Sequence, residues 1–566
     1  MSHILSVFRS PRDILINNTF LLGEDKVQIL KNLQFGFRAD WASIMPKKSN
    51  IPPNFFSCKL AVQKCRIRFL SEIKKGRMLG GLGWSLADVK KFLRRRVHVI
   101  PCGAVNKNND PFGRIIHNYS HPSKKSNSIN AALVNTSVSY ISFKNRVIHL
   151  SQVDWFIKAD LKDGYRQVPV HPTDWHTQIY TLGRNEFYID IAMPFGKANS
   201  SRVFCMWTSA WCESFKIHFQ NQYTRKIFLA SYVDDFFGGS FRSESLKKDK
   251  QIASLMLQNL IEIGDVTNTR LNLKKCIGPA RRMDILGIVF DSVKKSCFLG
   301  PSKISKYCVR LSSLQKTNSV TSKKLQKIIG CLVFAAWVLP YGRPFISHLS
   351  HCLDHKDLTK KVSLDLVGLV ACDIWIILLK KNYGLPFSFI LGRLPRKKEE
   401  WFFDASKHYG YGGVCGNLFF EVSHKTLMSF LDSTYRKMFE DLFIAYRELL
   451  AALFAFQVFA KYGKSKLIRI NSDNTNTVSW LNKGRCPKKM GFLLLSAIEF
   501  YKFKHGLKIK SFYIKSSHNT SADALSRGRI PPWLTKRGKK LKVNVEKILD
   551  LLSNPQLFWR KTRNPF

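Results

Sequence analysis

The sequence predicts an α+β region followed by a smaller α/β domain, and three observations carry that reading. The chain has 566 residues, 45% of them hydrophobic, enough for several packed cores. Two strand-like runs in the first half, 155-WFIKAD-160 and 227-IFLASY-232, each lead into aspartates. Between 401 and 527 strand-like and helix-like patterns alternate, and each delivers one acid.

Charge narrows the partner. Ninety-one Lys and Arg stand against 39 Asp and Glu, a formal net charge of +52. A surface that repels itself this strongly calls for a polyanion, and nucleic acid is the commonest; a basic structural protein of the ribosomal kind is the bland alternative. The 13 cysteines are scattered without a CxxC pair, and Met1 to Phe20 carry no signal-peptide pattern. Reduced thiols in an intracellular protein of cytoplasm or nucleus are expected, with neither a disulfide framework nor a zinc knuckle. The most apolar segments, 328-IIGCLVFAAWVLP-340 and 366-LVGLVACDIWIILL-379, fall short of the roughly 18 residues of a membrane span and read as core helices. No membrane partner is expected.

The elements follow in order of their chemistry. In 231-SYVDDFFGGS-240 the strand continues in apolar character through Phe236 and Phe237, and Gly238-Gly239 fits a turn, which puts Asp234 and Asp235 at a hairpin tip. Two crowded carboxylates raise each other's pKa unless a cation neutralises them, and hard oxygen donors suit Mg²⁺. A third carboxylate, Asp160, ends an upstream strand, and 161-LKDGYRQVPV-170 then turns and re-enters an extended run.

These segments resemble known motifs. DLKDGYRQVPV and YVDD resemble motifs A and C of the reverse transcriptase palm, and 193-MPFGKANSSRVFCMWTSA-210 between them resembles motif B. Upstream, 102-CGAVNKNNDPFGRIIHNYSHPSKKSNSINAAL-133 resembles the fingers hairpin, whose triphosphate-gripping cations match Lys107 and Arg114 here. Downstream, 271-LNLKKC-276 resembles the segment that places a Lys near the leaving pyrophosphate, matched by Lys275. Leu286-Gly287 resembles the primer grip, and 325-LQKIIGCLVFAAWVLPYGRPF-345 the thumb helix. The resemblance implies a right-hand polymerase of fingers, palm and thumb, with nucleotide contacts at Lys107, Arg114, Tyr165, Phe195, Gly196 and Lys275. Tyr165 matches the aromatic that blocks a ribose 2′-hydroxyl. Phe195 stands where many retroviral enzymes carry Gln.

A second set lies beyond the charged stretch 393-RLPRKKEE-400, which reads as a linker. A strand delivers Asp404, a helix opens at Glu448, a strand delivers Asp473 ahead of a helix carrying Trp480, and Asp523 follows a strand and loop. Taken singly, such acids are often caps or surface charges. As an ordered set they resemble ribonuclease H, with His518 in the place of that family's mobile catalytic His and 518-HNTSADALSR-527 in the retroelement form.

The joint resemblance implies an α+β right-hand polymerase followed by an α/β ribonuclease H-like domain. The boundaries it implies are a lead-in over 1–84, fingers and palm over 85–300, thumb and connection over 301–395, a ribonuclease H-like domain over 396–530 and a basic tail over 531–566. It implies two Mg²⁺ (or Mn²⁺) per active site, held by Asp160, Asp234 and Asp235 in one and by Asp404, Glu448, Asp473 and Asp523 in the other. Implied partners are an RNA template, a DNA primer, the RNA–DNA hybrid and deoxynucleoside triphosphates. GAVNKNN, GRIIHNYSHP, VLPYGRPF and DALSR together look most like tyrosine-recombinase elements of the DIRS type, which implies a separately encoded recombinase; gypsy-type and pararetroviral enzymes are the runner-up. The alternative from another class is a catalytically inactive or domesticated element-derived nucleic-acid-binding protein.

Overall fold

The structure, a computed structural model, describes residues 32, 35–39, 41, 51–107, 110–122, 128–134, 137–267, 269–396, 399–431, 436, 443–463 and 466–565. It divides into two compact units, 1–283 and 284–566.

The first unit is built on an antiparallel sheet of β4 (Val153–Asp160), β7 (Ile227–Tyr232), β8 (Asp235–Phe241) and β9 (Ile277–Ala280), in the order β7-β8-β4-β9. Ahead of it in the chain come helix α1 (Val62–Lys74), strand β1 (Met78–Leu82) and the hairpin of β2 (Cys102–Lys107) with β3 (Asp110–His117). A second sheet, ordered β1-β6-β5, adds β5 (Ile179–Gly183) and β6 (Glu186–Asp190). Helix α2 (Ser200–Tyr223) buries Phe204, Trp207, Trp211, Phe215 and Phe219, one apolar stripe at three- and four-residue steps. Helix α3 (Leu246–Val266) does the same with Ala253, Met256, Leu260 and Ile263, and Ser245 caps it by accepting from the Lys248 amide. Both stripes enter one core with Ile157 and Ala159 of β4 and Leu229 of β7.

Gly238 and Gly239 do not make the turn expected of them. They lie inside β8, where an added Cβ would come within 1.9 Å of the Phe228 carbonyl oxygen and 2.2 Å of that of Trp155, so close strand approach on both sides requires glycine. The turn falls earlier in the chain, at Val233 and Asp234, with Val233 at φ 58°. The expected hairpin tip therefore stands, on different turn residues.

The second unit opens on the sheet of β10 (Arg282–Ile285), β11 (Ile288–Asp291), β12 (Ser296–Leu299) and β15 (Leu385–Pro386). Between β12 and β15 run helices α4 (Pro301–Thr317), α5 (Ser322–Ala335), α6 (Arg343–His351) and α7 (Leu366–Lys381), with the small pair β13 (Ser319–Thr321) and β14 (Lys361–Ser363). A six-stranded mixed sheet follows: β16 (Trp401–Ala405), β17 (Gly410–Cys415), β18 (Leu418–Ser423), β19 (Leu467–Ser472), β20 (Lys508–Tyr513) and β21 (Lys539–Lys540), in the order β20-β19-β16-β17-β18-β21. Helix α8 (Ile444–Phe459) is apolar nearly all round and is buried, as such helices must be. Helices α9 (Thr475–Lys483), α10 (Lys489–Lys504) and α11 (Thr520–Ser526) complete the α/β layer. Among the described residues no helix is long and apolar enough to cross a membrane.

Two expectations change here. The stretch read as a linker is tied to the sheet: the Leu467 amide donates to the Pro395 carbonyl at 3.0 Å, and Glu400 pairs with Arg469 at 3.2 Å and accepts from Asn471 at 2.8 Å. Glu400 thus finds its partners on β19; residues 397 and 398 lie outside the described ones. The expected tail is folded as well, into α12 (Pro532–Arg537), β21, α13 (Val545–Ser553) and α14 (Pro555–Arg560). Trp559 is fully buried among the rings of Phe345, Phe500 and Phe503, and the Lys381 ammonium donates to the carbonyls of Trp559, Arg560 and Thr562. The basic run before it masks an apolar stripe of Val545, Ile548 and Leu551, spaced by three.

Candidate active sites

The first site is made by strand pairing. In the β4–β8 ladder Asp160 stands opposite Asp235, and the Leu161 amide donates to the Asp234 carbonyl at 2.9 Å. The tip of one hairpin thus lies against the end of the neighbouring strand. Burial pushes the Asp235 carboxyl up to about 6, with the Asp234 and Asp160 charges adding to the rise. Burial likewise raises Asp234, with Asp160 adding. The Lys275 ammonium donates to both oxygens of Asp160 at 3.0 Å, which puts one positive charge beside three acids.

Around this centre the structure places the expected nucleotide-side residues. The Tyr165 ring stacks on Phe204 with centroids 4.4 Å apart, lies 4.8 Å from Phe195, and its hydroxyl donates to Ser201 at 3.1 Å. Phe195 itself is 54% exposed. Gly196 has φ +95°, and a Cβ there would sit 2.7 Å from the His117 carbonyl oxygen. Arg114 is exposed on β3, opposite Val105. Lys107 lies on β2 with its side chain outside the described residues.

Three positioning devices escaped the sequence reading. Asn130 clamps the glycine loop, donating to the Gly196 carbonyl at 3.0 Å and accepting from the Ala198 amide at 2.8 Å. Lys197 is buried, which pulls its ammonium down to about 8, and it donates to Thr177 and Gln178 at 3.3 Å. Arg166, next to Tyr165, is buried between Glu72 at 3.0 Å and Asp190 at 2.7 Å. These pairs lock the 3₁₀ turn Gly164–Gln167 that carries Tyr165. Asp163 at the head of that turn is raised by burial yet held at about 2 by hydrogen bonds from Arg77 and Lys75. Each device joins residues distant in sequence, and an isolated Asn, Lys or Arg carries no spacing signal.

The second site gathers Asp404 from β16, Glu448 from α8 and Asp473 just past β19, with one carboxylate oxygen of each within 4.8 Å of the others. Glu448 sits in the second turn of α8, which begins at Ile444, so it does not open the helix as expected. Asp404 and Glu448 are buried, and burial pushes both carboxyls up, Glu448 well above the carboxylate range. The Ala405 amide donates to Glu448 Oε1 at 3.2 Å, but Glu448 Oε2 is buried with no hydrogen-bond partner. A cation among these oxygens would satisfy that orphan, so the donor set fits a hard divalent ion. Ser526 and Ser516 donate to Asp404 and Asp473 at 2.5 and 2.7 Å and fix their orientation. Asp473 does not cap α9; Asn474 does, accepting from the Thr477 amide.

Asp523 is not gathered with the other three. Its carboxylate pairs with Arg527 at 2.8 Å, one turn along α11, although its charge is felt at Asp404. His518 is exposed on the loop before α11. Among the described residues Asp404, Glu448 and Asp473 form the one all-carboxylate group with oxygens all within 4.8 Å of one another; Asp160, Asp234 and Asp235 are neighbours by strand pairing but are not gathered that tightly.

Residues 106–290 match the family described as reverse transcriptase (RNA-dependent DNA polymerase). The chain therefore carries a reverse transcriptase domain, and Asp160, Tyr165, Gly196, Asp234, Asp235 and Lys275 all fall within it. The enzymatic polyprotein of Cestrum yellow leaf curling virus is 20% identical over 311 residues, 53% of this chain and 44% of that polyprotein, so the chain spans less than half of that relative. Among solved structures, the foamy viral protease–reverse transcriptase in complex with dsDNA is similar at 15% identity and a TM-score of 0.43, covering 89% of this chain and 97% of that one. The same enzyme in complex with RNA/DNA hybrid gives 12% and 0.43, over 89% and 63%.

Proposed function

We propose that the chain is an RNA-directed DNA polymerase with a ribonuclease H activity in its second unit, copying retroelement RNA and degrading the RNA of the hybrid. The observation that carries the polymerase is the pairing of Asp160 with Asp235 beside Asp234 inside the matched domain. Asp160, Asp234 and Asp235 would hold two Mg²⁺ or Mn²⁺ ions. When bound, such ions lower the pKa of the attacking hydroxyl and stabilise charge on the transferred phosphoryl group. Lys275 neutralises Asp160 and stands where a departing pyrophosphate needs a cation. Tyr165, held by Phe204, Ser201 and the Arg166 network, would exclude a ribose 2′-hydroxyl and select deoxynucleoside triphosphates. Arg114 and Lys107 would grip the triphosphate, Arg through its two-pronged fork.

The nuclease reading rests on the Asp404–Glu448–Asp473 cluster and the orphaned Glu448 oxygen. These residues would hold ions that activate water against the RNA strand, Asp523 joining once Arg527 lets go and His518 moving protons from its exposed loop. Template, primer and hybrid would be held through their phosphates by the +52 surface, so affinity falls steeply with salt. The finer reading is an element of the DIRS type with a separate recombinase, acting inside the cell. Primer extension on poly(rA)·oligo(dT) tests the core of the proposal: template-dependent incorporation is expected, and its absence from folded protein that still binds the hybrid would favour an inactive nucleic-acid-binding descendant.

A further inference from the structure

A third group of metal-ligating side chains lies among the helices of the second unit, apart from both carboxylate sites. His348 is on the last turns of α6, Cys352 follows α6 directly, and Asp365 caps the start of α7. One ligand atom from each lies within 4.8 Å of the other two. His348 and Cys352 are four residues apart, the spacing that puts two side chains on one helix face.

The surroundings hold the donors in place. His348 Nε2 and Asp365 Oδ1 are 2.8 Å apart, and the same Oδ1 accepts from the Gly368 amide at 2.8 Å, so the cap of α7 orients the carboxylate. The His348 ring packs against Phe492 with centroids 4.7 Å apart. Such outer contacts orient metal ligands elsewhere. His348 is buried while the Asp365 side chain is 43% exposed, which leaves a way in from solvent.

We propose that His348, Cys352 and Asp365 form a binding site for a borderline-soft divalent ion, Zn²⁺ being the representative. Bond lengths of about 2.0–2.3 Å place tetrahedral donors about 3.3–3.8 Å apart, so side-chain rotations of about 1 Å close the site, and water supplies the fourth position. The ion takes the place of two protons, the one between His348 and Asp365 and the Cys352 thiol proton now donated to the His348 carbonyl, and both leave to solvent. Imidazole and thiolate select Zn²⁺ over Mg²⁺, whereas the other two sites offer carboxylates alone, so one chain sorts two kinds of metal by donor chemistry. Bound there, the ion ties the end of α6 to the start of α7 and stabilises the helices between β12 and β15.

The test uses the full chain, stripped with chelator and then given Co²⁺ in excess Mg²⁺. One Co²⁺ per chain is expected to remain, with a sulfur-to-cobalt charge-transfer band in the near ultraviolet. Cys352→Ala should lose the band and H348Q should weaken binding more than tenfold, while Asp473→Asn keeps both. Cys352→Ser, with circular dichroism to show folding, serves if the alanine variant fails to fold. No band in the parent, or an equal band in a folded Cys352 variant, would overturn the site, the latter by tracing cobalt to another of the 13 cysteines.

Discussion

In the first unit the acids already have a counter-ion: Lys275 reaches both oxygens of Asp160, and Asp235 rises only to about 6. In the second unit Asp404 and Glu448 are more deeply buried, their neighbour Asp473 is a third acid, and the nearby Arg527 is spent on Asp523. The first site carries its own ammonium, which offsets part of the charge of its three acids. Among the described residues the Asp404–Glu448–Asp473 cluster has no such ammonium and leaves a buried carboxylate oxygen unpartnered. The two sites, though alike in donor atoms, should depend unequally on metal and on protons.

The sharpest way to break the comparison is a crossed pair of variants. Asp234→Asn should cut primer extension by on the order of a thousandfold or more and spare hybrid cleavage, and Asp473→Asn should do the reverse. Both activities measured on each preparation decide it; parallel loss of both would mean one shared site or a folding defect. Next, Tyr165→Ala should raise ribonucleotide incorporation roughly ten- to a hundredfold at little cost to hybrid cleavage, read by single-nucleotide extension. Unchanged discrimination would remove Tyr165 from the gate.

Proton competition comes next. The metal needs the ionised carboxylate, so with Asp235 at about 6 polymerisation at limiting Mg²⁺ is present above that pH and falls several-fold as pH drops through it. Raising Mg²⁺ should move the fall to lower pH. Hybrid cleavage, which relies on the more strongly raised Glu448, should begin to fall at higher pH than polymerisation. Coincident profiles would erase the distinction.

The smallest effect is on stability. A carboxyl raised by folding contributes stability that is present below its unfolded pKa and lost as pH rises through the folded value. At neutral pH in chelator, Glu448→Gln should therefore stabilise the protein by about 1–2 kcal/mol, a few degrees in melting temperature, and abolish part of the Mg²⁺-induced rise. Asp235→Asn should gain less, because Lys275 already offsets its site. A loss of stability in Glu448→Gln would show that the buried acid is satisfied without metal.

Much of this was legible in the chain. Strand runs ending on acids placed Asp160, Asp234, Asp404 and Asp473 correctly, because an apolar run followed by a charge marks where a strand leaves its core. The turn beside Asp234 was misplaced because glycine serves both turns and close strand contact, and only the distance from Gly238 to the Phe228 carbonyl tells them apart. Asn130, Lys197 and Arg166 stayed invisible because their partners are far away in sequence. Asp523 fits the ordered motif yet pairs with Arg527, a local ion pair that spacing alone does not weigh against a distant cluster.

The burial of Trp559 bears on where this chain can be cut. Its indole rests on Phe345, ahead of the six-stranded sheet in the chain, and on Phe500 and Phe503 of α10, while Lys381 holds the carbonyls around it. A fragment started at the 393–400 stretch would strip away α6 and α7 and leave that aromatic face bare, an invitation to aggregate. A soluble fragment that keeps the Asp404–Glu448–Asp473 cluster has to carry the helices from residue 284 onward.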